Sequence, residues 1–249
     1  MDHPHQAIFG NDRPLFLRSL QFPKHLVILV LAPHPDDFDE IGVTLRYFRD
    51  NGNPIYLEVL GSSASGVEDS FCTPPTLEQK ASVREKEQRE SCRFFGLPES
   101  HLTFLRLPED AAGHIVESRE TAEQIRQRVV SKRPDLVFLP HGNDSNLGHR
   151  RTYSMFQKMA SALGYPVTAL LAKDPKTISM RYDLYTVFGP EEAEWKAKLL
   201  RFHQSQHQRN LNTRGYGFDE RILRVNRESA RELLKNDMYA ETFEIRSWP

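Results

Sequence analysis

The sequence predicts an α/β fold, a mostly parallel sheet flanked by helices with its functional site at the carboxyl ends of the strands. Two observations carry that expectation. Short apolar runs rich in Val, Ile and Leu alternate with charged, helix-compatible stretches, as βαβ units require. Two of those runs, residues 26–31 and 135–139, each empty into a polar loop bearing histidine and aspartate.

In order, residues 1–24 are polar and proline-punctuated, and read as an arm that lies across the surface or reaches a neighbouring subunit. Residues 26–31 (LVILVL) lack a helical period and suit a strand buried on both faces. Pro33 and Pro35 bracket His34, so the backbone there is expected to be extended, with Asp36 and Asp37 pointing to opposite sides. Residues 41–48 read as the first helix, Asp50 to Pro54 as a turn, and 55–60 as a second strand running into the small-residue loop 61–66. A charged helix over 76–95 ends at Gly96. A strand over 101–107, a helix over 121–132 and the buried strand 135–139 follow. The second polar loop, 140–151, leads into a helix expected over 152–163. Strands around 167–171 and 183–188 come next, then helices over 191–202 and 227–235. No internal repeat or linker divides the chain, so one domain spans 1–249, with 207–249 a C-terminal extension packed on it.

Composition narrows the function. The 249 residues carry a formal net charge of −1, and basic residues are interleaved with acidic ones, which argues against nucleic acid. No apolar run approaches the roughly 20 residues of a membrane helix. The first residues lack a basic and apolar leader, so a cytoplasmic protein is expected. The cysteines, Cys72 and Cys92, form no framework. Loop 61–66 is not followed by Gly-Lys-Ser/Thr, and no GxGxxG occurs, which disfavours nucleotide folds.

An imidazole beside two carboxylates at a strand end can be a loop cap, but a second histidine-bearing loop favours a metal. His34, Asp37 and one histidine from the second loop would form a three-ligand N/O site with an open position, a catalytic zinc pattern for which Fe(II) or another divalent ion could compete. Asp36 is then placed to take a proton from water. No nucleophile elbow is present.

With these residues in view, the chain resembles the zinc-dependent de-N-acetylases of the PIG-L/LmbE type. The resemblance rests on Pro33-His34-Pro35-Asp36-Asp37 and on Pro140-His141, Asp144 and His149. Arg84-x-x-Glu87, Leu107-Pro108-x-Asp110, Lys196 and His203-Gln-Ser205-Gln206 support it in the family's order. It implies a Rossmann-like fold and Zn2+ on His34, Asp37 and His149, with Asp36 as general base. It also implies that Arg84 and Asp110 face an amino-sugar substrate, and that His141 lines the pocket. The family's second loop usually reads His-Pro-Asp-His, whereas here Asn146-Leu147-Gly148 precedes His149. Asn146 takes the place of the histidine that serves the oxyanion or leaving amine, and His141 or Asp144 would have to stand in, Asp144 otherwise contacting substrate. The implied activity is hydrolysis of an N-acetyl or other N-acyl group on an amino sugar or sugar conjugate. The rivals are an impaired metal- or sugar-binding protein and a metal-dependent deaminase or esterase. The arm makes a homo-oligomer an expectation.

Overall fold

A computed structural model describes residues 6–10 and 12–249. Helix α1 (Gln6–Phe9) and strand β1 (Leu15–Phe16) open the chain. Then come β2 (Ile28–Ala32), α2 (Asp37–Glu40), α3 (Gly42–Asn51), β3 (Ile55–Val59), α4 (Leu77–Phe95) and β4 (Leu102–Phe104). The middle of the chain gives α5 (Arg119–Lys132), β5 (Leu136–Pro140), α6 (Leu147–Ala160), β6 (Val167–Ala172) and β7 (Leu184–Phe188). Helices α7 (Pro190–Leu200), α8 (Gln204–Arg214) and α9 (Phe218–Leu234) precede the last strand, β8 (Tyr239–Trp248).

The sheet has eight strands in the order β1-β7-β8-β6-β5-β2-β3-β4. All pairings are parallel except those of β8, which runs antiparallel to both β6 and β7. On β2, Ile28, Val30 and Ala32 belong to one apolar core and Leu29 and Leu31 to another, so both faces of the strand are covered. That is why its sequence shows no alternation. From β2 the chain moves outward to β3 and β4, then returns to place β5 on the other side of β2. The strand order therefore reverses between β2 and β5, and the crevice at their carboxyl ends is the position where such sheets bind ligands.

The mostly parallel α/β architecture and the βα alternation are those expected, with three differences. Part of the expected surface arm, residues 1–5 and 11, lies outside the described residues. Within the rest, Phe9, Leu17 and Phe22 are buried in the core next to β2, and β1 extends the sheet beside β7. Helix α6 starts at Leu147, five residues before the expected start, because Asn146 Oδ1 accepts the Gly148 N–H at 2.8 Å and caps it. The C-terminal extension is larger in structure than its sequence suggests. It supplies all but the first three residues of α8, nine further residues at the start of α9, and β8 wedged between β6 and β7.

A buried ion pair ties β8 to the helices. Lys196 Nζ lies 2.6 Å from Glu241 Oε1, with both side chains at most 1% exposed. The same ammonium donates to Asn226 Oδ1 at 2.8 Å and to the Glu40 carbonyl at 2.5 Å. The Glu241 carboxylate accepts the Val43 and Thr44 N–H groups, and so caps α3, whose N-cap residue Ile41 has no side-chain acceptor. Burial lowers the Lys196 pKa, while Glu241 opposes that shift.

Candidate metal centre and its cavity

The first cluster begins where β2 stops. Asp36 has φ +130°, a conformation that L-residues rarely adopt, where extended backbone was expected. Such a residue costs of order 1–3 kcal/mol and persists only when its surroundings hold it. Helix α4 does the holding. Gln88 Oε1 accepts the Asp36 N–H at 3.0 Å. One turn earlier, Arg84 Nη2 donates to the Pro35 carbonyl and lies 3.1 Å from Asp36 Oδ2. Arg84 is buried at 1% exposure, so this charge is committed to the turn and to Glu87, 3.9 Å from its Nη1.

The turn starts α2 at Asp37 and swings that carboxylate back over the strand end. Asp37 Oδ2 accepts the His34 N–H at 2.7 Å. It lies 3.4 Å from His34 Nδ1, and Oδ1 lies 3.5 Å from His149 Nε2. The imidazole atoms His34 Nδ1 and His149 Nε2 are 3.1 Å apart. Burial works against the Asp37 charge, but the two histidines outweigh it and hold the carboxyl well below its usual range.

His149 sits in the first turn of α6. Its Nδ1 lies 3.1 Å from Asp144 Oδ2 and 3.1 Å from Asp174 Oδ2. A proton on Nδ1 satisfies those carboxylates and turns the Nε2 lone pair toward His34 and Asp37. Asp174 follows β6, and its other oxygen is fixed by the Lys176 and Thr177 N–H groups, each at 2.8 Å.

These residues fit a divalent ion. Tetrahedral ligands at bond lengths of about 2.0–2.1 Å stand roughly 3.3–3.4 Å apart, close to the separations among His34, Asp37 and His149. Two imidazole lone pairs facing each other repel unless a proton or cation lies between them. The oriented second carboxylate behind His149 completes the arrangement.

The cluster forms the floor of a cavity of about 350 Å³. Loops after five strands contribute to it, through His34 (β2), Ser63 (β3), His114 (β4), Asn146 (β5) and Asp174 (β6). Helices α8 and α9 close the other side. Of the residues expected at the site, His34, Asp36, Asp37, Arg84, Asn146 and His149 line it. With Oδ1 used in the cap, Asn146 has its amide Nδ2 left to offer the cavity.

The remaining three expected residues do not line this cavity. His141 faces away, its Nδ1 accepting the Asn143 N–H at 3.0 Å and its Nε2 lying 3.4 Å from Glu244 Oε2 on β8. Asp144 is fully buried behind His149 and orients it. Asp110 accepts the Ala112 and His114 N–H groups and pairs with Arg151 at 2.7 Å, which holds its pKa down to about 2. It shapes the loop that carries His114 and does not face the cavity. His203 and Ser205 are structural. His203 Nε2 lies 2.6 Å from buried Asp39, and Ser205 donates to Glu87 through both its N–H and its hydroxyl.

Sequence reading missed Asp174, Glu40 and His114. The strand-end argument that found the other loops applies equally to Asp174, two residues past β6. Burial and then the carboxylates of Asp174, Asp37 and Asp36 push the Glu40 carboxyl well above its usual range. Among the described residues, His114 is the one cavity imidazole besides the two candidate ligands, and burial lowers its pKa.

The family model described as PIG-L, GlcNAc-PI de-N-acetylase, matches residues 29–160, just over half of the chain. The chain belongs to the PIG-L family. The matched span of this PIG-L chain carries both loops that bear His34, Asp37 and His149. Among solved structures, N,N'-diacetylchitobiose deacetylase from Pyrococcus horikoshii superposes with a TM-score of 0.70 at 20% identity, covering 88% of this chain and 83% of that one. GalB, the 4-carboxy-2-hydroxymuconate hydratase from Pseudomonas putida KT2440, gives 0.68 at 17% identity, with 88% and 95% covered. The zinc-inhibited form of teicoplanin deacetylase Orf2 gives 0.65 at 16% identity, with 89% and 98% covered. At these identities the likeness is one of fold, and the fold serves a hydratase as well as deacetylases. No curated protein sequence matches this PIG-L chain. Among its described residues, no helix is long and apolar enough to cross a membrane.

Proposed function

We propose that this PIG-L chain is a metal-dependent hydrolase that removes an N-acetyl group from an amino sugar or sugar conjugate. One observation carries the reading. His34, Asp37 and His149 present three metal-donor atoms at the floor of a cavity, and a fourth group, Asp36, lines the same cavity while bonded to none of them. A divalent ion held there, zinc first and ferrous iron next, would polarise an acyl carbonyl and acidify water. Asp36 then accepts the water's proton, and Arg84 and the α4 clamp keep that carboxylate in one orientation. The Asn146 amide donates to the acyl oxygen as negative charge builds on it. His114 is the cavity residue suited to the leaving nitrogen, the role left open by Asn146 and not reached by His141. The zinc-inhibited form of the teicoplanin enzyme favours testing several metals before choosing one.

The presence of a hydratase on this fold supports a second reading, water addition to, or hydrolysis of, a different bond. Elemental analysis of the wild type, His34→Ala and His149→Ala tests the metal centre. About one divalent ion per chain, lost in both variants, is expected. Acetate release from N-acetylated amino sugars that disappears in Asp36→Ala with metal retained supports deacetylation over the second reading. Failure of the loaded wild type to release acetate from any of them removes the deacetylase reading.

A further inference from the structure

Helix α4 buries a polar stripe where packing alone would favour an apolar one. Arg84, Glu87, Gln88 and Ser91 are each at most 6% exposed. Two of them, one helical turn apart, grip the same residue. Arg84 takes the Asp36 carboxylate, and Gln88 Oε1 takes the Asp36 N–H. The second grip needs the Gln88 amide to present its oxygen, because a backbone N–H only donates. Its nitrogen end decides that. Gln88 Nε2 donates to Asp39 Oδ2 at 3.0 Å and to Ser91 Oγ at 2.9 Å. A carboxylate only accepts, so Asp39 draws the NH2 group to itself and leaves Oε1 for Asp36. Asp39 is fully buried, and the same oxygen lies 2.6 Å from His203 Nε2 and 3.2 Å from the Ser91 hydroxyl. It stands on α2, two residues past the candidate ligand Asp37. One amide therefore joins the backbone of Asp36 to the helix that begins with that ligand.

The strained φ of Asp36 gives this hold a purpose. Rotation about N–Cα toward ordinary backbone would carry Cβ, and with it the carboxylate, to another direction from the strand end. We propose that Gln88 is a positioning residue for the reaction: by accepting the Asp36 N–H with an amide that Asp39 orients, it aims the carboxylate that takes the proton from water. This rests on the deacetylase reading and extends it to a side chain that does not line the cavity.

The test begins with Gln88→Met, which keeps an unbranched, helix-favouring side chain and removes both amide bonds. Acetate release from an N-acetylated amino sugar is expected to fall in kcat by about tenfold to a hundredfold, with KM and metal content unchanged. A residue that served only stability would shift the midpoint of urea unfolding and leave kcat per metal-loaded chain as it was. The rescue is directional. Gln88→Glu sets a second carboxylate against Asp39 and is expected to lose activity too. Adding Asp39→Asn to it restores a donor and an acceptor in the reverse sense, keeps an oxygen on the Asp36 N–H, and is expected to recover most of the lost kcat. These two variants carry the comparison if Gln88→Met does not fold. Hydrogen exchange at the Asp36 amide, followed by NMR, reads the hold without turnover, and should quicken by about tenfold in Gln88→Met. If the wild type releases no acetate but that exchange quickens, the hydrolytic reading falls and the hold on Asp36 stands. If the wild type releases acetate and Gln88→Met matches it in kcat, the positioning role falls and the deacetylase stands.

Discussion

Arg84 Nη2 on α4 lies 3.1 Å from Asp36 Oδ2, and the two form a buried contact across the turn that follows β2. The contact sets the proposed base, Asp36, beside the candidate metal-donor atoms without making it one of them. Asp36→Asn keeps an acceptor for Arg84 and the shape of the turn, but removes the group that takes a proton. Acetate release is expected to fall by a factor on the order of 10²–10⁴, with metal content unchanged by elemental analysis. A parallel loss of metal would move Asp36 into the ligand set.

Lys196 and Glu241 are expected to behave as a buried pair. Lys196→Met leaves the Glu241 charge without its ammonium and should destabilise the protein by about 3–5 kcal/mol. The double change Lys196→Met with Glu241→Gln should recover much of that loss, because no uncompensated charge remains. Urea denaturation of the three forms measures it, and equal stability of single and double variants would contradict the pairing.

Metal uptake should displace a proton. In the metal-free protein burial disfavours the His149 cation, but Asp37, Asp144 and Asp174 outweigh it and hold the pKa well above the ordinary 6.5. A folded-state pKa raised in this way adds stability that is full below about 6.5 and fades as pH climbs through the raised value. The metal-free wild type should therefore lose stability as pH climbs above about 6.5 through that raised value, and His149→Gln should lose less. Binding of the ion needs the neutral ring, so metal affinity should rise with pH. Calorimetry in buffers of different ionisation enthalpy should register about one proton released per ion.

Gly142 sits between β5 and the second loop, and a Cβ there would stand 2.2 Å from the Tyr153 ring of α6. Gly142→Ala must push that ring and with it the helix that carries His149. A destabilisation of about 1–3 kcal/mol with weaker metal binding is the expected result. Thermal unfolding with and without added metal reads both, and a variant identical to the wild type would show that α6 moves freely of this contact.

The centre was legible because its residues announce themselves locally: an apolar strand, then a histidine and acids, twice. The carboxyl-end rule places both loops on one edge of the sheet. What escaped was settled by distant partners. Glu241 and Glu244 break up the apolar pattern of β8, and they can be buried because Lys196 neutralises the first, and Arg181 and Arg246 reach the second. Helix α8 shows no apolar stripe, since its buried residues are Ser205 and Asn210, held by hydrogen bonds to Glu87 and to the Gln206 carbonyl. His141 misled for the reverse reason. It stands at a strand end like His34, but the acidic β8 draws its Nε2 away from the cavity.

The place of β8 between β6 and β7 also sets an order of events during synthesis. Strand β6 leaves the ribosome long before residue 239, and until β8 arrives its outer edge has no partner in the finished sheet. The same loop that follows β6 carries Asp174, the carboxylate behind His149. A nascent chain therefore displays an open strand edge, prone to pairing with other chains, beside the loop that carries Asp174. The edge is closed only when the last ten-residue strand has been made and has slotted between β6 and β7.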